Sequence, residues 1–158
     1  MDRLWTPWRY QYITKSSPAS GCIFCAKPAA GDDEAQFIVH RATHNYVLLN
    51  LFPYTSGHLM IAPYEHVDSL AAAAEATALE MMQLARKAER VLRAVYNCPG
   101  MNLGMNLGES AGAGVAGHIH LHVVPRWPGD ANFMTTTAET RVLPEDLSVT
   151  LGRVRGGW

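Results

Sequence analysis

The chain has no excess of charge of either sign: thirteen lysines and arginines stand against fourteen aspartates and glutamates, a formal net charge of −1. So even a balance offers no basic field to duplex nucleic acid or an anionic membrane. Cysteine is scarce and odd in number, at Cys22, Cys25 and Cys98, which does not make a disulfide scaffold. No apolar run approaches the roughly 20 residues needed to cross a bilayer. The N-terminal stretch MDRLWTPWRYQYI lacks the aliphatic centre of a secretion signal, because Asp2 and Arg3 run straight into aromatics. These absences predict a cytoplasmic protein without a nucleic-acid or membrane partner. Repeats are missing too, so the expected organisation is one domain over residues 1–158, with an irregular arm at 1–20 and an extension at 128–158.

What is present suffices for a packed core: 48% of residues are hydrophobic and 17% charged. FIVHR, NYVLLNLFP and HLMIAP read as strands of an antiparallel hairpin or meander, with Gly57 marking a turn and Pro63 an end. From Val67 to about Tyr96 the period changes. Val67, Leu70, Ala71, Ala74, Ala78, Met81, Ala85, Ala88, Leu92 and Val95 recur at helical spacing, and Asn97, Pro99 and Gly100 end the run. MNLGMNLG and HIHLHVVPR read as further strands, and LPEDLSVTLGRVR as a short helix with Pro144 near its start. Strands, a long helix, then strands again predict an α+β fold.

HIHLHVVPR places His118, His120 and His122 at alternate positions. Residues at i, i+2 and i+4 of a strand share a face, so the three imidazoles project together while Ile119, Leu121 and Val123 enter the core. A histidine face of this regularity points to metal binding or to phosphate chemistry. The preceding loop, with Gly108, Gly112, Gly114 and Gly117, can bring backbone N–H groups close to an anion. Cys22-Ile-Phe-Cys25 has the spacing of half a zinc site. With no second cysteine pair, histidines must complete it, and His40, His44, His58, His66 and one of the triad are all candidates.

Four pieces in order, GCIFC, NLFPYTSGHLMIAPYEH, NLGESAGAG and HIHLHVVPRW, resemble the histidine triad (HIT) superfamily of nucleotide-binding hydrolases and transferases. The likeness is greatest to the branch of fragile histidine triad proteins and diadenosine polyphosphate hydrolases and phosphorylases. It implies a HIT-like α+β fold: an antiparallel sheet of about five strands, one long helix, a short C-terminal helix, and assembly as a homodimer. It implies a nucleotide substrate attacked at its α-phosphate by His120, with the His118 carbonyl holding the other ring nitrogen and a nucleotidyl-histidine as intermediate. It implies that His122 and His58 contact phosphate oxygens or steady the transition state. Asn50 would bind ribose, and Asn106 with Gly112, Ala113, Gly114 and Val115 would line the phosphate pocket. A structural zinc would be held by Cys22, Cys25, His66 and His118. A nucleoside phosphoramidate hydrolase and a non-catalytic nucleotide sensor are the alternatives within the resemblance. The chain departs from related hydrolases in one respect: Gly114 and Val115 stand where a glutamine or serine often faces the bridging phosphate oxygen.

Overall fold

The computed structural model describes residues 21–130 and 145–158; the arm at 1–20 and, within the extension expected from the sequence, residues 131–144 with Pro144 lie outside the described residues. Five strands form one antiparallel sheet: β1 (Ile38–Arg41), β2 (Asn45–Leu49), β3 (Leu59–Pro63), β4 (Gly100–Gly104) and β5 (Leu121–Arg126), in the order β1-β2-β3-β5-β4. Helix α1 (Ile23–Ala29) precedes the sheet, α2 (Glu75–Tyr96) connects β3 to β4, and α3 (Leu147–Gly157) ends the chain. The α+β architecture and the meander read from the sequence are therefore present.

The two faces of the sheet do different work. Val47, Leu49, Leu59, Ile61, Leu121 and Val123 turn toward α2 and α3 and pack with Met81, Ala85, Ala88, Leu92 and Val154. This is the large core, and the apolar stripe of α2 fits it. On the opposite face Ile38, Tyr46, Leu48, Met60 and Ala62 pack with Phe24 of α1. Both faces of β2 and β3 are buried, which explains their nearly continuous apolar runs.

Three elements differ from the sequence reading. Residues 67–74 are turns and bends, and the long helix begins at Glu75 rather than Val67. The alanine-rich run could continue the helical period, but the Val67 carbonyl accepts the Ile119 N–H at 2.8 Å and so belongs to the triad segment. The other end lies where expected, with Asn97 in the left-handed conformation, φ 49°. The β5 ladder starts at Leu121, not His118, because the backbone of 118–120 makes other bonds, described below. Helix α1 was not expected. It is short and contains Pro28, and its cysteines give no periodic signal. The C-terminal helix starts at Leu147, capped by Asp146, whose carboxylate accepts the Ser148 N–H at 3.1 Å.

The β1–β2 turn is tied to α2 by Glu80. Its carboxylate accepts the N–H groups of Thr43, His44 and Asn45 and the Asn45 side-chain amide at 2.8–3.0 Å. Among the described residues, no helix is long and apolar enough to cross a membrane.

Gly57 turns the chain into β3 with φ +80°, and a Cβ there would lie 2.9 Å from Tyr96 Cε2 and 3.2 Å from Leu92 Cδ2. Tyr96 is anchored by its hydroxyl, which donates to Glu145. Gly57→Ala therefore adds left-handed strain to overpacking, and urea unfolding should show a loss of about 2–4 kcal/mol. A loss below about 0.5 kcal/mol would mean that α2 gives way without cost.

Candidate active site

The site occupies the α1 face of the sheet, where the segment 118–122 runs into β5. The alternation holds in space: Ile119, Leu121 and Val123 are in the large core, and the three histidines lie opposite. His118 is fully buried. Its Nε2 lies 2.9 Å from the Pro63 carbonyl. A carbonyl only accepts, so Nε2 carries the proton and Nδ1 presents a lone pair. The His118 carbonyl in turn accepts from His120 Nδ1 at 3.0 Å. That places the His120 proton on Nδ1 and leaves Nε2 with an uncommitted lone pair. The Phe24 ring packs against His120 with centroids 4.6 Å apart. Burial lowers the His120 pKa, an effect its bond to the His118 carbonyl only partly opposes, so the ring is neutral and nucleophilic.

His122 has the opposite tautomer. The Tyr54 N–H, which can only donate, lies 3.1 Å from His58 Nδ1. His58 therefore carries its proton on Nε2 and donates to His122 Nδ1 at 2.9 Å. His122 is left with an Nε2–H. One histidine thus offers a lone pair and its neighbour, 4.9 Å away between centroids, offers a donor. Each state is set by a backbone group: the Pro63 carbonyl, the His118 carbonyl or the Tyr54 N–H.

Two cavities meet at His122, Tyr54 and Asn106, which line both. One contains His120 and has apolar walls from Ile23, Phe24, Leu51, Phe52 and Met60. The other is more polar, with Thr55, Asn102 and Arg126. Asn50 lines the first cavity, where its Oδ1 accepts the Phe52 N–H at 3.0 Å. Gly112, Gly114 and Val115 line it too, whereas Ala113, expected with them, does not. Asn106 donates to the Gly112 carbonyl at 3.5 Å, tying the end of β4's following segment to the glycine loop.

The expected contact of His58 with phosphate is not supported by this geometry. His58 is 1% exposed and lines neither cavity, and both its nitrogens are engaged within the fold. What the structure shows is its hydrogen bond to His122 Nδ1 at 2.9 Å, which can hold that ring in place. Of the other candidates, His40 packs on Trp158 at 5.4 Å, His44 is exposed and Cys98 is buried in the large core. Tyr54 and Lys27 were not singled out in the sequence. Tyr54 had one signal, its place four residues before His58 in the FPYTSGH turn.

Cys22, Cys25, His66 and His118 come together, their ligand atoms all within 4.8 Å of one another. His118 Nδ1 lies 3.2 Å from Cys22 Sγ, 3.6 Å from Cys25 Sγ and 3.3 Å from His66 Nδ1, and Cys25 Sγ is 3.4 Å from His66 Nδ1. A tetrahedron with metal–sulfur bonds of roughly 2.3 Å and metal–nitrogen bonds of roughly 2.0–2.1 Å has edges of about 3.3–3.8 Å. The four residues lie close enough to hold a metal ion, and the Pro63 carbonyl behind His118 is the outer partner such a ligand needs. Burial first, then the hydrogen bond and charge of Cys22, push the Cys25 thiol above its usual value; a cation held between the sulfurs would supply a counter-charge.

A tautomer-fixed histidine triad beside a glycine loop defines a histidine triad protein, and residues 32–129 match the HIT domain family; the chain belongs to it. Over the whole chain it is 39% identical to the AP-4-A phosphorylase of Mycobacterium tuberculosis, spanning 85% of that protein. It is 27% identical to the asymmetrical bis(5'-nucleosyl)-tetraphosphatase of Schizosaccharomyces pombe over 59% of this chain and 50% of that protein. A solved Zn-bound histidine triad family protein from Mycobacterium smegmatis superposes with a TM-score of 0.71 at 26% identity, covering 87% of this chain and 92% of that one.

Burial first, and the charge of His120 second, lower His122 from 6.5 to about 4. Between these values the unfolded chain binds the extra proton, so stability rises with pH there and falls on acidification from 6.5 towards 4. In His122→Gln the amide oxygen still accepts from His58 but does not titrate. The difference in unfolding free energy between pH 7 and pH 5, measured on metal-loaded protein, should be smaller in this variant than in the wild type. An equal difference would show that His122 does not carry the dependence.

Proposed function

We propose that the protein is an enzyme of dinucleoside polyphosphates, transferring a nucleotidyl group from the α-phosphate through His120 to inorganic phosphate. The observation that carries this is the His120 imidazole, neutral, with its Nδ1 proton held by a backbone carbonyl and its Nε2 lone pair in a cavity. His120 Nε2 forms a bond to the α-phosphorus while the bond from that phosphorus to the bridging oxygen breaks. The leaving nucleoside polyphosphate departs with the electron pair, and the His122 Nε2–H donates a hydrogen bond to that oxygen. The proton stays on His120 Nδ1 throughout, hydrogen-bonded to the His118 carbonyl, which stabilises the cationic ring of the intermediate. Phosphate then attacks the same phosphorus and the P–N bond breaks, returning His120. With diadenosine tetraphosphate the sum is ADP plus ATP; with water as acceptor it is AMP plus ATP.

Two cavities meeting at His122 suit a substrate with two halves. The apolar one takes the nucleoside on the attacked phosphorus, with Asn50 at its ribose, and Asn106, Gly112, Gly114 and Val115 beside the phosphate. The polar one takes the remainder of the chain. The relative named AP-4-A phosphorylase supports phosphate as acceptor. It also suits the absence of a glutamine or serine at Gly114 and Val115, whose backbone remains to face the phosphate. The balanced charge and unpaired cysteines support a cytoplasmic setting, and the edge of β4, unpaired among the described residues, supports a homodimer.

We assign the metal at Cys22, Cys25, His66 and His118 to zinc, which matches an N₂S₂ set. All four positions are filled by protein, so zinc there shapes the fold and leaves no place for a substrate oxygen. Removing it with a strong chelator should release about one zinc per chain and lower the unfolding free energy by at least about 2–3 kcal/mol, with Cys25→Ser doing the same. Unchanged stability in metal-free protein would refute the structural role.

Incubation with diadenosine tetraphosphate and phosphate should yield ADP and ATP, separated by ion exchange, and only traces of product without phosphate. His120→Ala should lower turnover by at least about 10³-fold while keeping the wild-type unfolding midpoint. AMP plus ATP formed at the same rate without phosphate would make it a hydrolase, and full activity in His120→Ala would remove the covalent step.

A further inference from the structure

Helix α1 crosses the sheet rather than following a strand. At its start Cys22 Sγ is 3.2 Å from His118 Nδ1, beside β5. Further along, the Phe24 carbonyl accepts from Tyr46 of β2 at 2.8 Å. At its end the Pro28 carbonyl accepts from Arg41 of β1 at 2.8 Å. From β5 to β1 is three strand spacings in this sheet order, roughly 14 Å. Lys27 lies one turn after Phe24, and its ammonium donates to the Gln36 carbonyl at 3.1 Å and towards Gln36 Oε1 at 3.5 Å, just ahead of β1. Lys27 lines the cavity that holds His120 but not the polar one. It therefore stands at the end of the nucleoside cavity remote from the triad.

This position is unusual for a lysine. It is partly buried, and among the described residues it has no carboxylate within ion-pair distance. Burial holds its pKa below the ordinary lysine value. An ammonium has three donors and no acceptor, and the two partners on Gln36 leave one donor uncommitted. The same cavity has apolar walls from Ile23, Leu51 and Phe52, which suit the flat faces of a base. With its phosphate at His120, a nucleotide laid along this cavity would bring its base toward Lys27.

We infer that Lys27 is a specificity residue that donates a hydrogen bond to an acceptor atom on the edge of a purine base, reading the base of the nucleoside whose phosphorus His120 attacks. The inference rests on the function proposed above. A donor-only partner favours a ring nitrogen or carbonyl and disfavours an amino group presented at the same point. Loss of one charge-assisted hydrogen bond corresponds to about ten-fold or more in affinity.

The test is calorimetric binding of AMP, adenosine and the 1-, 3- and 7-deaza analogues of AMP to the zinc-loaded full chain, as wild type and as Lys27→Met. Each analogue replaces one ring nitrogen by C–H. In the wild type one analogue should bind about ten-fold or more weakly than AMP. In Lys27→Met that ratio should fall to near one, and the variant's loss should be equal for AMP and adenosine. Ratios taken within one variant do not depend on its stability, so a partly destabilised Lys27→Met remains informative. Equal AMP affinity in the two proteins would overturn the inference, as would an analogue penalty that survives in Lys27→Met. A loss for AMP but not for adenosine would place the ammonium at phosphate and overturn it too. Failure of wild type to bind AMP at all would instead remove the nucleotide function on which it rests.

Discussion

The structure depends on a single histidine used three ways. His118 points Nδ1 at the two cysteines and His66, gives its Nε2 proton to the Pro63 carbonyl, and offers its own carbonyl to the Nδ1 of His120. None of these bonds is strong by itself; a net hydrogen bond contributes about 1 kcal/mol. Their value is that they are mutually consistent. Reversing the tautomer of His118 would break the first two together, and shifting its backbone would release His120. One residue thus joins the cluster of Cys22, Cys25 and His66 to the orientation of the His120 ring.

The same logic accounts for the irregular start of β5. A strand that paired from His118 onwards would commit its backbone to neighbours in the sheet. Here the Ile119 N–H goes to Val67 and the His118 carbonyl to His120. Ladder bonds are exchanged for bonds that aim side chains. Beyond Leu121 the ladder resumes, and His122 is held in register opposite Met60 while His58 reaches it from the start of β3.

Legibility in the sequence followed the physical range of each signal. The triad was legible because a period of two is local and puts three histidines on one face whatever surrounds them. The end of α2 was legible because Asn97 carries its own left-handed preference. Its beginning was not, since alanines 71–74 suit a helix, whereas tertiary and turn bonds such as Ile119 N–H to the Val67 carbonyl and Ala74 N–H to Glu65 engage this stretch otherwise. His66 and Asn50 were found through the resemblance rather than through spacing. His58 was identified as part of the site, but a motif does not say how deeply its histidine is buried. Lys27 gave no signal: its meaning comes from the path of α1 across three other elements.

The two borders of the sheet are not alike. Along β1, Arg155 of α3 forks onto the Ile38 carbonyl at 2.7 and 3.2 Å, so the outermost strand is sealed by the chain's own C-terminal helix. Along β4, which is largely exposed, no element among the described residues does the same. A sheet with one sealed and one open border can extend by backbone pairing in one direction only. If two copies meet there, each uses the one border left open among its described residues, and none of those is left for a third. Growth into a fibre, the usual hazard of an unpaired strand, is closed off by the terminal helix at the far side of the molecule.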